Sequence, residues 1–569
     1  MDRRSFLLTA AGAGAAGLAT SAGFLRWQEI TPAVHTPGRA EGHFLRDRGQ
    51  LPPPSETIET DVVILGSGIA GLSAAWKLGK LGHDDFLLLD GPEAFGNAAG
   101  SRYGDLACPT GAHYLPLPGP ESTHVREMLA DLGILLRDAD QDKPYYDERF
   151  ILHGPEERLL RDGVWHEGLV PTDASDAAEH KAFFDEMARL RHVRGKDGRR
   201  AFVFPLALSS NDPAFAALDR VSFAQWLGEQ GYRSATLRWY LDYCCRDDYG
   251  AGIERVSAWA GIHYFAGRWG QAANAEENAL LTWPGGLAPL AEALAAKAGP
   301  RRRAGTAAHV AEVDGKVEAL CFTLERGKPR SFLVRARRAI LAMPLFVASR
   351  VVEGIERYGF DPRRHLGDYA PWMVSNFLMR DFPRELPDAQ LAWDNVVYGG
   401  RGLGYVVSTH QDIRSRPPEK TVFTAYTALS NRTPGEARRW LQSASPDALL
   451  ALAASDLKEA YGWAFAPCVE RVDITLRAHG MAVPQPGFRG NAGLTALREA
   501  DGPLLFAHAD LSGLSVFEEA AWWGCLAAGR AARARLGRHA TAPPRNEEDG
   551  QSQRQHLHGA RFRHRTDRQ

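Results

Sequence analysis

Apolar and polar positions change character several times along this chain. Phe6 to Ala22 is a weakly apolar stretch rich in Ala and Gly, behind Arg3 and Arg4. Residues 27–57 carry the run Pro52-Pro53-Pro54 and read as a linker or extended arm. Val62–Leu65 then predicts a buried strand, Leu72 to Leu81 an Ala-rich helix, and Phe86–Leu89 a second buried strand. Ala178–Val193, Phe223–Gln230 and Ala235–Cys245 read as helical. Ala308–Val313, Arg338–Met343, Val374–Met379, Thr421–Tyr426 and the run from Leu504 read as strands. Helices follow around Pro434–Gln442 and Pro446–Gly462. From Ala542 to Gln569 apolar residues almost vanish, so this tail cannot bury enough surface to order itself.

Composition narrows the class. The 569 residues hold 67 Lys+Arg against 69 Asp+Glu, a net charge of −2, which argues against a nucleic-acid binder. Hydrophobic residues at 44% and charged residues at 24% are globular values. Six cysteines are too few for a disulfide scaffold, and any pairing among them cannot be deduced from order alone. Beyond the N-terminal stretch no apolar run reaches about 18 residues, so no membrane span is expected past the leader. The G-x-x-x-x-G-K-[ST], H-E-x-x-H, G-x-S-x-G and C-x-x-C patterns are missing, and no metal site is expected.

The N-terminus combines a charged start, an apolar run and small residues at Thr20-Ser21-Ala22, the anatomy of a signal peptide over residues 1–26. Arg3-Arg4 followed by Phe6-Leu7 resembles a twin-arginine export signal. That resemblance implies passage through the twin-arginine export machinery as a folded protein and a periplasmic location, membrane-tethered if the leader stays uncleaved. Export after folding suits a protein that takes up a cofactor first.

The first chemical signal follows the arm. Gly66, Gly68 and Gly71 lie between the strand Val62–Leu65 and the helix from Leu72, in a G-x-G-x-x-G pattern. Gly66 makes the tight turn, Gly68 lets backbone approach a pyrophosphate, and Gly71 lets helix and strand pack closely. With Ile69 and Ala70 they place free N–H groups at a helix N-terminus, ready for phosphate. Asp90 ends the second strand 19 residues beyond Gly71, where a carboxylate is needed for ribose hydroxyls.

Further segments bear on the cofactor: Gly96-Asn97-Ala98-Ala99-Gly100-Ser101-Arg102, Gly111-Ala112-His113-Tyr114, Trp283-Pro284-Gly285-Gly286, Ala342-Met343-Pro344, and Ala507-His508-Ala509-Asp510 before Phe517-Glu518. In this order and spacing they resemble the flavin-containing amine oxidase superfamily, which includes monoamine and polyamine oxidases, protoporphyrinogen oxidase and carotenoid desaturases. The resemblance runs from about Asp61 to Leu536. It implies an α/β fold: a Rossmann-like FAD-binding domain in a two-domain flavoprotein, interleaved with an α+β substrate domain. The FAD-binding part would comprise 58–114, 276–345 and 481–540, and the substrate part 115–275 and 346–480, with a disordered tail at 541–569. It further implies FAD as cofactor, held by Asp90 at the adenosine ribose, and by Gly96, Asn97, Ser101 and Arg102 along the pyrophosphate and flavin. Val310 would meet adenine through its backbone, Asp510 the ribityl–pyrophosphate portion, and Phe517 and Glu518 the pyrimidine ring.

The chain also departs from that pattern. The usual Gly-Gly-Arg is Gly96-Asn97-Ala98, and no lysine occurs between Ala342 and Glu419 where many amine oxidases hold a water near flavin N5. The resemblance implies hydride transfer from an amine, or another activated C–H, to the flavin. Desaturation or isomerisation of an apolar polyene or tetrapyrrole stays open, as does a non-catalytic interaction role. Catalytic candidates are His113 and Tyr114 in the flavin-proximal stretch, His410 as a proton carrier in a Gly-rich segment, and Trp523 in the last motif. Aromatics crowd the remaining segments, with Trp239, Tyr240, Tyr243, Trp259, Tyr264, Trp393, Tyr398 and Tyr405 as candidate cavity walls.

Overall fold

The computed structural model describes residues 27–539 other than 28, 48, 172, 387, 388 and 417, with side chains as far as residue 533. The leader at 1–26 and the tail at 541–569 lie outside the described residues. The chain forms two units, 1–532 and 533–569. Of the second, helical backbone is described as far as His539. Both sheets and the candidate site residues belong to the first.

Two sheets organise that unit. One has the run Val62–Leu65 at its heart, in a strand spanning Thr57–Leu65. That strand pairs in parallel with Phe86–Leu89 on one side and with Lys328–Leu341 on the other. Leu504–Phe506 joins Lys328–Leu341 in parallel, while Lys316–Glu325 and Thr306–Val313 extend the sheet antiparallel. The central residues Val62, Val63 and Ile64 expose none of their surface, as parallel strands covered on both faces require. The helix Ile69–Lys80 covers this sheet, burying Leu72, Ala75, Trp76 and Leu78.

The second sheet has eight strands in the order Ala33–His35, Val469–Ala482, Tyr369–Met379, Thr421–Ala428, Tyr405–Val407, Asp394–Val397, Glu157–Arg161 and Val164–Glu167. Alternate residues of its strands face two different cores. Trp372 and Val374 pack toward a helical layer that includes Phe223–Glu229, Ala235–Tyr249 and Ala258–Gly267. Met373 and Phe377 pack the other way, against Leu449, Leu457 and Phe465.

Two expectations about segments change. Residues 27–57 are not only a linker. Ala33–His35 is an edge strand beside Asp473–Thr475, and His35 Nε2 lies 2.7 Å from Asp473 Oδ1. The helix Arg39–Arg46 follows, and its Phe44 packs on Phe322 of the first sheet. The arm therefore touches both sheets, because its few apolar residues find partners that no local pattern reveals. Parts of the segments read as substrate domain also pack against the first sheet. Val125, Met128, Leu129 and Tyr146, and likewise Ala348, Val351 and Phe360, belong to the core around the first sheet.

Among the described residues no helix is long and apolar enough to cross a membrane.

Candidate active site

The Gly-rich turn is built from backbone, and the packing explains why. Gly66 has φ +116°, and a Cβ there would lie 2.5 Å from the Ala342 carbonyl oxygen. A Cβ on Gly71 would lie 1.8 Å from the Gly66 carbonyl oxygen, so helix and strand close only without a side chain. A Cβ on Gly68 would meet nothing within 4 Å. Gly68 is also the N-cap of Ile69–Lys80, and no side chain caps that helix end. Gly96 faces it across the opening, where a Cβ on Gly96 would stand 3.8 Å from the Gly68 Cα. The result is a cleft walled by glycine backbone at a free helix N-terminus, the arrangement that accepts phosphate. Ile69 is half-buried and Ala70 buried in the first turn, where a Cβ on Gly524 would meet the Ala70 carbonyl oxygen at 2.1 Å. The C-terminal helix thus packs directly on the turn.

Asp90 closes one end of the cleft. One of its oxygens accepts from Arg302 Nε at 2.5 Å, which leaves Oδ2 for other donors. Asp510, at the other end, is buried. Its Oδ2 accepts from the Leu345 backbone N–H at 2.9 Å and from the Tyr369 hydroxyl. Its Oδ1 has no hydrogen-bond donor among the described residues. His508 Nδ1 lies 3.1 Å from that oxygen and accepts the Asp510 backbone N–H at 3.2 Å. A buried carboxylate oxygen without a donor is costly, and a ligand hydroxyl would satisfy it. The residues present therefore fit a dinucleotide with a polyhydroxyl portion.

Other sequence-derived positions are held as follows by their protein surroundings. The Val310 carbonyl already accepts from the Glu353 N–H at 2.9 Å, and Val310 pairs with Ala319 in the sheet. The backbone beside Asp90 belongs instead to Arg303 and Gly305, which accept from the N–H groups of Asp90 and Gly91. Ser101 and Arg102 are exposed on a hairpin, Gly100–Tyr103 with Leu106–Pro109. Asn97 donates its side-chain amide to the Gly480 carbonyl at 2.6 Å and accepts the Ala112 N–H on its own carbonyl. Phe517 is core, and Glu518 is buried with its carbonyl accepting from His124 Nε2. Trp523 is also core: its indole N–H donates to Ser512 Oγ at 2.7 Å. His410 Nε2 sits 2.7 Å from the His153 carbonyl. Trp523 and one ring nitrogen of His410 are thus tied to protein groups. Tyr405 faces the opposite core and meets the Tyr461 hydroxyl at 2.7 Å, and Trp259 is fully buried against His263.

His113 and Tyr114, by contrast, open a cavity. The strand Tyr114–Pro116 pairs with Leu280–Thr282, and Thr282 Oγ1 donates to the His113 carbonyl at 2.7 Å. A Cβ on Gly286, which has φ +62°, would meet the Ala112 carbonyl oxygen at 2.6 Å, so the Pro-Gly-Gly turn presses this segment into place. The His113 ring lies 4.5 Å from Tyr426 and 5.4 Å from Trp393, and Tyr114 stands edge-on to Trp393 at 6.3 Å. Among the described residues no group hydrogen-bonds the His113 ring nitrogens, and burial lowers its pKa to about 3, so it is neutral at ordinary pH. Tyr114 donates to Asp247 Oδ2 at 3.4 Å.

Asp247 comes from the helix Ala235–Tyr249. Ser234 caps its start and Gly250, with φ +67°, ends it, which sets the helix rotation that presents Tyr240, Tyr243 and Asp247 together. Asp394 and Glu157 come from neighbouring parallel strands in direct register. Burial, then neighbouring acids, raises Asp247 and Glu157 to about 7 and raises Asp394 as well. These three keep part of their surface open although protein surrounds them, as do His113, Tyr114, Trp239, Tyr240, Tyr264 and Tyr398. They line a space rather than fill one. The nearby cation Arg268 is committed to Asp248 at 2.6 Å.

Sequence reading found His113, Tyr114 and most of the aromatics but missed the acids. Asp247 was legible, since it continues the face of Tyr240 and Tyr243. Glu157 carries no local signal.

Known proteins share this architecture. Residues 64–132 match the family described as NAD(P)-binding Rossmann-like domain. The structure is similar to a putrescine oxidase bound to putrescine, at 17% identity and TM-score 0.58, covering 84% of this chain and 100% of that one. It is also similar to cyclohexylamine oxidase from Brevibacterium oxydans IH-35A, at 18% identity and TM-score 0.57, covering 84% and 99%. A CLA-producing fatty acid isomerase from P. acnes is similar at 15% identity and TM-score 0.55, covering 83% and 98%. No curated protein sequence matches the chain. The architecture is thus the two-domain fold of these enzymes, with a Rossmann-like dinucleotide-binding part, as the sequence implied.

Proposed function

We propose that this protein is an exported FAD-dependent oxidoreductase of the amine oxidase type. The observation that carries the reading is the space beside the Gly111–Tyr114 segment: aromatic walls, a neutral histidine and enclosed carboxylates that form no ion pair among the described residues. Such a space attracts an amine and strips its water. The backbone of Gly66–Gly71 and Gly96, with Asp90 and Asp510, would hold FAD. When bound, FAD accepts the two electrons and the proton of a C–H bond next to the amine nitrogen. Asp247, raised to about 7, is the group placed to take the ammonium proton that must leave before oxidation, while His113, held neutral by burial, brings no positive charge against the amine. Tyr114, tied to Asp247, orients that carboxylate. Trp393 and Tyr426 flank the His113 ring and exclude water.

The leader supports export by the twin-arginine route to the periplasm, with the described part folding around its cofactor beforehand. A desaturase or isomerase acting on an apolar polyene or tetrapyrrole is the second reading, favoured by the similarity to a fatty acid isomerase. The unpaired acids weigh against it, because an apolar guest leaves them uncompensated.

An absorption spectrum of purified protein followed by anaerobic addition of an amine panel tests the proposal. Flavin bands that bleach with an amine are expected. A flavin that no amine bleaches would sink the amine reading, and a colourless protein unable to take up FAD would sink the cofactor with it.

A further inference from the structure

We propose that residues 33–47 form a strap over the ribose end of the dinucleotide cleft, and that bound flavin nucleotide leaves only when this strap lifts off its neighbouring strand. This rests on the reading of that cleft as the FAD site and adds a control on how the cofactor is kept.

The strap lies across both sheets. At one end Ala33–His35 pairs in parallel with residues 473–475 of the second sheet. There His35 Nε2 stands 2.7 Å from Asp473 Oδ1, and the same carboxylate accepts from Arg471 Nε and from the Tyr103 hydroxyl, each at 2.7 Å. At the other end Phe44 packs on Phe322 with ring centroids 5.1 Å apart, and Leu45 lies against the core of the first sheet. Just beyond, Ser331 Oγ donates to the Pro52 carbonyl at 2.5 Å, and the Ser55 N–H donates to the Ser331 carbonyl at 2.9 Å. The chain is thus fixed to the first sheet before that sheet's central strand begins.

Between its two anchorages the strap presses on the turn that shapes the cleft. Gly38 has φ +69°, and a Cβ there would lie 3.2 Å from Pro92 Cγ. Pro92 belongs to the turn 91–95, which runs from Asp90 at the ribose end to Gly96 opposite Gly68. Phe95 in that turn has φ +68°, a left-handed conformation that a side-chain-bearing residue keeps only when its surroundings enforce it. Gly38 against Pro92, Arg302 over the Phe95 ring at 4.9 Å, and Arg477 paired with Glu93 at 2.8 Å all hold the turn. Arg302 also serves Asp90, and Arg477 sits in Val469–Ala482, the strand that the strap borders. Strap, turn and strand enclose a crevice of about 380 Å³ lined by His35, Glu93, Phe95, Ser101, Asp473 and Thr475.

The strap is the part of this assembly able to lift. Of the described residues between 27 and 50 only Pro32 is buried, and the helix Arg39–Arg46 buries none of its residues fully. A three-residue strand and one half-buried ring make few apolar contacts, and segments of that kind open locally while the rest stays folded. Lifting the strap releases Pro92, and with it the turn that joins Asp90 to Gly96. Linkage runs both ways, so a nucleotide that fixes the turn also favours the docked strap.

The test uses the flavin-loaded full protein. His35 and Thr475 are register partners, so His35→Cys with Thr475→Cys gives a variant whose strap a disulfide fastens and a reductant frees. Flavin release is followed as the freed nucleotide regains its fluorescence. The fastened form is expected to release flavin at least about fivefold more slowly than the same protein reduced, and Phe44→Ala at least about fivefold faster than wild type. Hydrogen exchange of the unaltered protein gives an independent readout. Amides of residues 33–47 are expected to exchange at least about threefold more slowly with flavin bound than after its removal. Equal release from the fastened and reduced forms, wild-type release from Phe44→Ala, or strap exchange that ignores flavin would each overturn the proposal while leaving FAD in the cleft. A protein that takes up no flavin removes the cofactor reading itself.

Discussion

The dinucleotide cleft and the acidic cavity solve opposite problems with opposite materials. The cleft binds through backbone: free N–H groups at the start of Ile69–Lys80, three glycines without room for a Cβ or without one in the way, and a single orphaned carboxylate oxygen on Asp510. The cavity is built from side chains of separate elements: His113 and Tyr114 where one strand begins, Asp247 from a helix, Glu157 and Asp394 from two strands more than two hundred residues apart in sequence. A backbone site tolerates almost no substitution and recognises a common ligand. A side-chain site is easy to alter and decides which substrate enters. The difference teaches where specificity lies in this molecule.

The sharpest way to break the comparison is Gly71→Ala. Its Cβ would stand 1.8 Å from a carbonyl oxygen of the same turn, and backbone cannot yield as a side-chain tip can. A loss of about 3 kcal/mol or more in stability is expected, together with loss of bound flavin. Thermal melting and the ratio of flavin to protein absorbance measure the two. Flavin binding at the original level would mean that the cleft is not where the cofactor lies.

A middle-sized effect belongs to the cavity. Asp247 and Glu157 are raised to about 7 in the folded protein, and Glu519, buried between Leu206 and Ser512, likewise. Unfolded carboxylates titrate near about 4. The folded state therefore holds protons that the unfolded chain has released. Stability from these groups is complete below about pH 4 and is lost as pH rises through about 7. Between about pH 5 and pH 8 the substrate-free protein should lose several degrees of Tm, and Glu157→Gln should flatten that slope. Glu519 keeps its own share, so the variant does not abolish the dependence. An unchanged slope in Glu157→Gln would show that Glu157 is not a buried acid of this kind.

The smallest effect is expected at His410→Ala. The ring serves the His153 carbonyl, and removing it should cost about 1 kcal/mol and change kcat by less than about twofold. A large loss of kcat with unchanged melting would restore His410 to the chemistry and redraw the boundary of the cavity.

How much of this was legible varies by the range of the interactions. The strand Phe86–Leu89 is found as predicted, and the strand through Val62–Leu65 and the helix after it are found somewhat longer, because apolar runs and helix spacing are local properties. Helices at Ala177–Leu190, Phe223–Glu229 and Ala235–Tyr249 likewise lie within a few residues of the reading. The arm at 27–57 was unreadable, since a three-residue strand gains its stability from Asp473–Thr475 and not from itself. Trp523 and His410 looked chemical because of their neighbours in sequence. In the fold the Trp523 indole N–H meets Ser512 and one His410 ring nitrogen meets the His153 carbonyl. Val310, read as meeting adenine through its backbone, has its carbonyl accepting from the Glu353 N–H.

The sequence by itself determined the glycine turn, the acid after the second strand, the order of the flavin-like motifs and the presence of many aromatics. Each of these is a constraint carried by spacing within one or two elements. Only the tertiary structure decided that Glu157 would stand beside Asp394, that Asp247 would face them with Tyr114, and that Arg268 would be spent on Asp248 instead. Charge is a long-range quantity in a low-dielectric interior, so a carboxylate's meaning depends on which strand and which helix come to lie next to it.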